Sequence, residues 1–111
     1  MRSHHPSVRR ALERIQEGYA EPLSVDELAR AAYMSKSRFI AVFKRETGVT
    51  PHEHLRKIRI EAAMKQIRSG KDVTEACFAV GYTSLSGFGE AFANLTGMKP
   101  GEYRAAVQKQ A

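Results

Sequence analysis

A single cysteine, Cys77, leaves this 111-residue chain without an internal disulfide, so a reducing cytosol suits it and no covalent staple holds the fold. No apolar run approaches the roughly 18 residues that a membrane-spanning helix requires. The first residues show no secretory leader, so no membrane partner is expected and the expected location is the cytoplasm. No segment alternates apolar and polar residues with period two, which excludes strands. A glycine-rich phosphate loop, a Ser/His/Asp set and paired carboxylates are all missing. Nothing speaks for an enzyme, and no cofactor is expected.

What the chain does hold is ordinary for a soluble globular protein: 42% hydrophobic and 27% charged residues. Its net charge of +6 is unevenly spread. Residues 1–70 hold 14 Lys and Arg against 8 Asp and Glu, whereas residues 71–111 hold 4 of each. The excess positive charge therefore lies in the first part of the chain and suits a polyanion such as nucleic acid.

The chain also repeats itself. Phe39, Phe43, Gly48, Pro51 and Glu53 recur 49 positions later as Phe88, Phe92, Gly97, Pro100 and Glu102. Helix signals agree with the repeat. Val8, Ala11, Leu12, Ile15 and Tyr19 follow a 3.6-residue period, predicting a helix over 8–19 with Ser7 as its N-cap. Residues 1–6 have no such pattern and read as a flexible end. Ser24 to Glu27 form a capping box for a short helix through Ala32. Ser35 caps a helix that ends at Gly48. Thr50-Pro51-His52-Glu53 opens a longer helix carrying Leu55, Ile58, Ala62, Met64 and Ile67, which stops at Gly70. Asp72 to Glu75 open a short helix to Val80, Ser84 caps one to about Thr96, and a last helix starts at Pro100.

The expected fold is all-α, with about seven helices in two helix-turn-helix subdomains, 7–50 and 70–111, joined by a connecting helix over 51–69. Ala29 and Cys77 hold equivalent places where two helices cross closely, so Cys77 reads as a small core residue. The offset changes from 48 to 49 within the turn, which implies one extra residue in the second turn.

Helical geometry sorts the longer helix of each pair into faces. Phe39, Val42 and Phe43 point to the core of the first; Phe88, Ala91, Phe92 and Leu95 to the core of the second. Candidate DNA-contacting residues on the first are Lys36, Ser37, Arg38, Ile40, Ala41, Lys44 and Arg45. Lys44 and Arg45 suit phosphates, Arg38 suits a guanine edge, and Ile40 and Ala41 suit thymine methyls. Candidates on the second are Ser84, Leu85, Ser86, Gly87, Glu90 and Asn94. This face is weaker for DNA. Lys44 becomes Ala93, Arg45 becomes Asn94 and Ala41 becomes Glu90, while Gly87 and Gly89 each cost the helix about 1 kcal/mol relative to Ala. The neutral second half also fits a module that docks a protein. His52 and His54, two apart on a helix, diverge too far to share a metal ion and read as helix-start residues; no metal is expected.

The residues Leu28-Ala29, Met34-Ser35, Phe39, Phe43-Lys44, Gly48, Pro51 and Arg59 resemble the DNA-binding domain of AraC/XylS-type bacterial transcription regulators. So do Val73-Thr74-Glu75, Gly81-Tyr82, Ser86, Phe88, Phe92, Gly97, Pro100 and Tyr103-Arg104, and the resemblance covers roughly residues 8–106. It implies two recognition helices, about 36–47 and 85–96, entering successive major-groove segments of double-stranded DNA. It implies a transcription activator that touches RNA polymerase and binds DNA as a monomer if it stands alone. Its size is that of stand-alone MarA- and SoxS-like members, or of the C-terminal domain of a longer regulator. Ala93 departs from the Lys or Arg common in relatives, and Ala76-Cys77 from the usual Ile-Ala.

Overall fold

The computed structural model describes residues 5–109. The described residues form seven α-helices and no strand. These are α1 (Pro6–Gly18), α2 (Val25–Ala31), α3 (Lys36–Thr47), α4 (Pro51–Arg68), α5 (Val73–Ala79), α6 (Leu85–Thr96) and α7 (Pro100–Lys109). The all-α reading stands. None of these helices is long and apolar enough to cross a membrane.

The helix starts follow from side-chain caps that satisfy otherwise orphaned N–H groups. Ser24 accepts from Glu27 N–H at 3.1 Å, Ser35 from Arg38 at 3.2 Å, Asp72 from Glu75 at 2.8 Å and Ser84 from Gly87 at 3.1 Å. At the start of α4 the box is reciprocal: Glu53 N–H donates to Thr50 Oγ1 at 3.2 Å, and Thr50 N–H donates to Glu53 Oε1 at 3.0 Å. Gly48 and Gly97 close α3 and α6 in the left-handed region, with φ of +86° and +78°. Glycine takes this conformation without a Cβ penalty.

Helix α1 corrects the sequence reading. Pro6 occupies its first turn, where a missing N–H costs nothing, and moves the cap back to His5. His5 Nδ1 accepts from Ser7 N–H at 3.2 Å, so Ser7 is a buried residue inside the helix rather than its N-cap. The flexible end expected at residues 1–6 thus loses His5 and Pro6 to the helix start, and its residues 1–4 lie outside the described residues.

The chain divides into two compact units, and the division falls within α4, after Leu55. In the first, Val8, Ala11 and Ile15 of α1, Val25, Leu28 and Ala29 of α2, and Phe39, Val42 and Phe43 of α3 are buried. In the second, Ile60, Ala63 and Ile67 of α4, Ala76 and Cys77 of α5, and Phe88, Ala91 and Phe92 of α6 are buried. Each fully buried phenylalanine contributes about 1.5–3 kcal/mol of transfer free energy. Ile60, Ala63 and Ile67 form the buried stripe of α4, whereas Leu55, Ile58, Ala62 and Met64 are half-buried. Burial pushes the Cys77 thiol up from its ordinary range, as an inert core residue requires. Leu95 is a second correction: the helical period places it under Phe88, yet it is 48% exposed. Periodicity fixes the direction of a side chain, not the presence of a neighbour to cover it.

The repeat extends to individual bonds. Thr47 Oγ1 donates to Phe43 O at 2.9 Å and receives Val49 N–H at 3.3 Å; Thr96 Oγ1 donates to Phe92 O at 2.7 Å and receives Met98 N–H at 3.1 Å. Ring centroids of Phe39 and Phe43 lie 6.0 Å apart, and those of Phe88 and Phe92 5.6 Å apart.

Candidate nucleic-acid interface

Two rigid turns aim α3 and α6. At the end of α2, Tyr33 N–H donates to Arg30 O at 3.0 Å and Met34 N–H to Ala29 O at 3.0 Å. At the end of α5, Gly81 N–H donates to Phe78 O at 3.2 Å and Tyr82 N–H to Cys77 O at 3.2 Å. Both are Schellman closures, in which the residue after the helix adopts a left-handed conformation. Tyr33 (φ +57°) and Gly81 (φ +102°) fill that position. Thr83, between Tyr82 and the cap Ser84, is the extra residue of the second turn. Cys77 Sγ lies 3.6 Å from Ser84 O and donates to it, tying α5 to the start of α6.

In the first unit this turn delivers α3 with its aromatic face buried and its other face open. Lys36, Ser37, Arg38, Ala41, Lys44 and Arg45 are exposed, and Ile40 is half-buried beside them. Lys36 Nζ lies 4.0 Å from Asp26 Oδ2, a surface pair worth at most about 1 kcal/mol that a phosphate can displace. Lys44 and Arg45 also sit in the last turn of α3, where cations complement the helix dipole by about 0.3–1 kcal/mol. That contribution explains a cation there. It does not explain the further exposed cations, Lys36 and Arg38, at the other end of the same helix.

In the second unit, Ser84, Leu85, Ser86, Glu90 and Asn94 are exposed and Gly87 is half-buried. The two glycines of α6 differ in cause. A Cβ on Gly87 would lie 3.2 Å from Ser84 Oγ, crowding the cap, whereas a Cβ on Gly89 would meet nothing within 4 Å. Gly87 thus serves the helix start, and Gly89 leaves open space along the helix. Phe78, Leu85 and Leu95 are exposed at 52%, 47% and 48%, an apolar character that α3 lacks.

The second turn is held from behind. Arg59 of α4 lies over the Tyr82 ring at 5.7 Å, and Tyr82 in turn meets the edge of Phe88 at 5.4 Å. Burial raises the Tyr82 phenol above its ordinary value, while Arg59 and Arg56 pull it back down. Burial likewise lowers the Arg59 guanidinium. Residue spacing gives no sign of this stack, since Arg59 and Tyr82 are brought together only by the packing of α4. Sequence reasoning also misses Tyr33. The signal lies in the repeat, which sets this tyrosine against a glycine.

His52 is exposed, and His54 turns its ring toward Phe43 at 5.9 Å. Among the described residues, no group of three or more His, Cys, Asp or Glu is gathered to hold a metal ion.

Residues 28–106 match a family described as a helix-turn-helix domain. The chain is 40% identical over 100 residues to a putative AraC-like transcription regulator of Streptomyces antibioticus, covering 89% of this chain and 33% of the relative. It is 33% identical over 108 residues to the RCS-specific HTH-type transcriptional activator RclR of Escherichia coli K12, covering 96% of this chain and 38% of that protein. The chain thus spans little more than a third of the length of such relatives. Among solved structures, the DNA-binding domain of the global transcriptional factor AdpA, in complex with a target DNA, superposes with a TM-score of 0.87 at 27% identity, covering 97% of this chain and 96% of that one. With its doubled helix-turn-helix and a family match across most of its length, the chain belongs to the AraC family of transcription regulators, of which it is a DNA-binding domain.

Proposed function

We propose that the chain reads a specific double-stranded DNA site with both helix-turn-helix subdomains, 7–50 and 70–111, connected through the helix at 51–69. Helices α3 and α6 enter successive major-groove segments about one helical turn, roughly 34 Å, apart. The observation that carries this reading is the exposed face of α3, with Lys36, Arg38, Lys44 and Arg45 around the small residues Ser37 and Ala41. The cations supply sequence-independent phosphate contacts. Arg38 has the fork to read a guanine, while Ala41 and Ile40 can approach thymine methyls. On α6, Ser84, Leu85, Ser86, Gly87, Glu90 and Asn94 form the second reading surface, and Glu90 has the acceptor chemistry for a cytosine amino group. The likeness to the DNA complex of AdpA supports double-stranded DNA as the ligand, and the relative named as an activator supports activation as the outcome. The family is one of DNA-binding regulators rather than enzymes.

The test is binding of the Arg38→Ala, Lys44→Ala and Arg45→Ala variants to a cognate duplex across a salt series. Each variant is expected to bind more weakly. A lost phosphate contact should also lower the slope of log K against log salt by about 0.9. Unchanged affinity in all three would refute the assignment of α3.

A second reading is that the first unit anchors DNA while the second docks RNA polymerase or another protein. The exposed Phe78, Leu85 and Leu95, with the neutral charge of residues 71–111, favour it. Substituting Ser86, Glu90 and Asn94 together by Ala separates the two. Lost sequence preference supports DNA reading by α6, and an unchanged sequence preference supports docking by the second unit.

A further inference from the structure

Among the described residues Tyr33 is the one non-glycine residue with a positive φ, and it is 95% exposed. These two properties oppose each other. A left-handed backbone is costly for a bulky side chain, and such a residue is tolerated where something holds it there or uses it. The turn itself does not require tyrosine, because the equivalent turn closes with the same two backbone bonds around Gly81. Nor does the core, since the ring lies almost wholly in solvent. The tyrosine therefore contributes little within the fold that glycine would not, and it presents a large amphipathic group outward.

Its place is well defined. The bonds from Tyr33 N–H to Arg30 O and from Met34 N–H to Ala29 O fix the turn. Two residues later Ser35 caps α3, and the exposed Arg30, Lys36 and Ser37 flank it along the chain. A phenol here has an O–H to donate and a ring face to lay against a sugar, in a cationic setting. Its chemistry matches the nucleic-acid backbone, where tyrosine side chains donate to phosphate oxygens and fix the register of a protein on the duplex.

We infer that Tyr33 is a DNA-backbone contact of the first unit, its hydroxyl donating to a phosphate oxygen beside the site entered by α3. This rests on the reading of the chain as a DNA-binding domain and adds a positioning residue to it. Because tyrosine is uncharged, its contribution differs in kind from that of Lys44 or Arg45. It adds affinity without releasing a counterion. Because it touches no base edge, it acts alike on cognate and unrelated duplexes.

The experiment uses the full chain with Tyr33→Gly and Tyr33→Phe, measuring melting temperature and affinity for a selected cognate duplex and a scrambled duplex across a salt series. Tyr33→Gly is expected to melt no lower than the parent, since it relieves the left-handed strain. It should bind both duplexes about 3- to 10-fold more weakly, the range of one lost hydrogen bond, with the salt slope unchanged. Tyr33→Phe should lose part of that affinity. Parent-like affinity of Tyr33→Gly for both duplexes would overturn the inference, as would parent-like affinity accompanied by lost activation, which would make Tyr33 a protein contact. If the parent chain itself bound neither duplex, the DNA-binding reading would fail, and that result is distinct from failure of the Tyr33 contact alone.

Discussion

His54 and Tyr103, 49 positions apart, hold the same place in the two units: each sets its ring against the second phenylalanine of the preceding helix, at 5.9 Å from Phe43 and 5.5 Å from Phe92. The Tyr103 hydroxyl also accepts from Arg68 Nη1 at 2.6 Å. Each unit thus sets a ring at the first turn of the helix after its second phenylalanine, His54 in α4 and Tyr103 in α7. Replacing His54 or Tyr103 by Ala is expected to lower stability by about 1 kcal/mol or more through the lost ring pair. His54→Tyr should fold, and Tyr103→Phe should cost less than Tyr103→Ala. Urea denaturation of the four variants checks the order.

The glycines at 81 and 89 predict opposite outcomes for the same substitution. At φ +102°, Gly81→Ala places a Cβ in a left-handed turn and should destabilise by about 1–2 kcal/mol. Gly89 lies inside α6 with open space where a methyl would stand, so Gly89→Ala should stabilise by up to about 1 kcal/mol. Thermal melts decide both. If α6 also approaches DNA closely there, the more stable Gly89→Ala chain will bind its site more weakly.

Arg59 is expected to hold the second turn through the Tyr82 ring. Arg59→Met should cost about 1 kcal/mol, the scale of a partly buried cation–π contact. It should also make the Tyr82 phenol harder to ionise, moving its titration to higher pH, because Arg59 opposes the effect of burial there. An ultraviolet pH titration of the phenol reads that shift. A downward movement would contradict the stack.

Asp72 gives a pH dependence with a definite sign. Its carboxyl is held below the usual range, first by the backbone hydrogen bond from Glu75 and further by the nearby charge of Arg104. A folded value below the unfolded one, about 3.9, means that its stabilisation is complete above that pH and lost as pH falls through the folded value. Asp72→Asn keeps a good cap without the charge, so acid melts of that variant should lack this component.

Much of the fold was legible because it rests on local chemistry. Ser24, Ser35, Thr50, Asp72 and Ser84 announce their helices by caps that need only neighbours within three residues. The repeat announces the buried phenylalanines. What was not legible depended on events beyond the local pattern. Pro6 extended α1 past the first periodic residue and moved the cap from Ser7 to His5. Leu95 fits the apolar period but is only partly covered. On the candidate interface, the exposed face of α3 follows from helical geometry alone, whereas the Arg59–Tyr82 stack and the left-handed Tyr33 required the packed structure.

The proposed reading of two segments of one DNA site by α3 and α6 is tested most directly by selecting bound duplexes from a random pool with the full chain. Two blocks of sequence preference are expected, their centres about 10–10.5 base pairs apart on one face of the helix. A single block, or no enrichment at all, would contradict it.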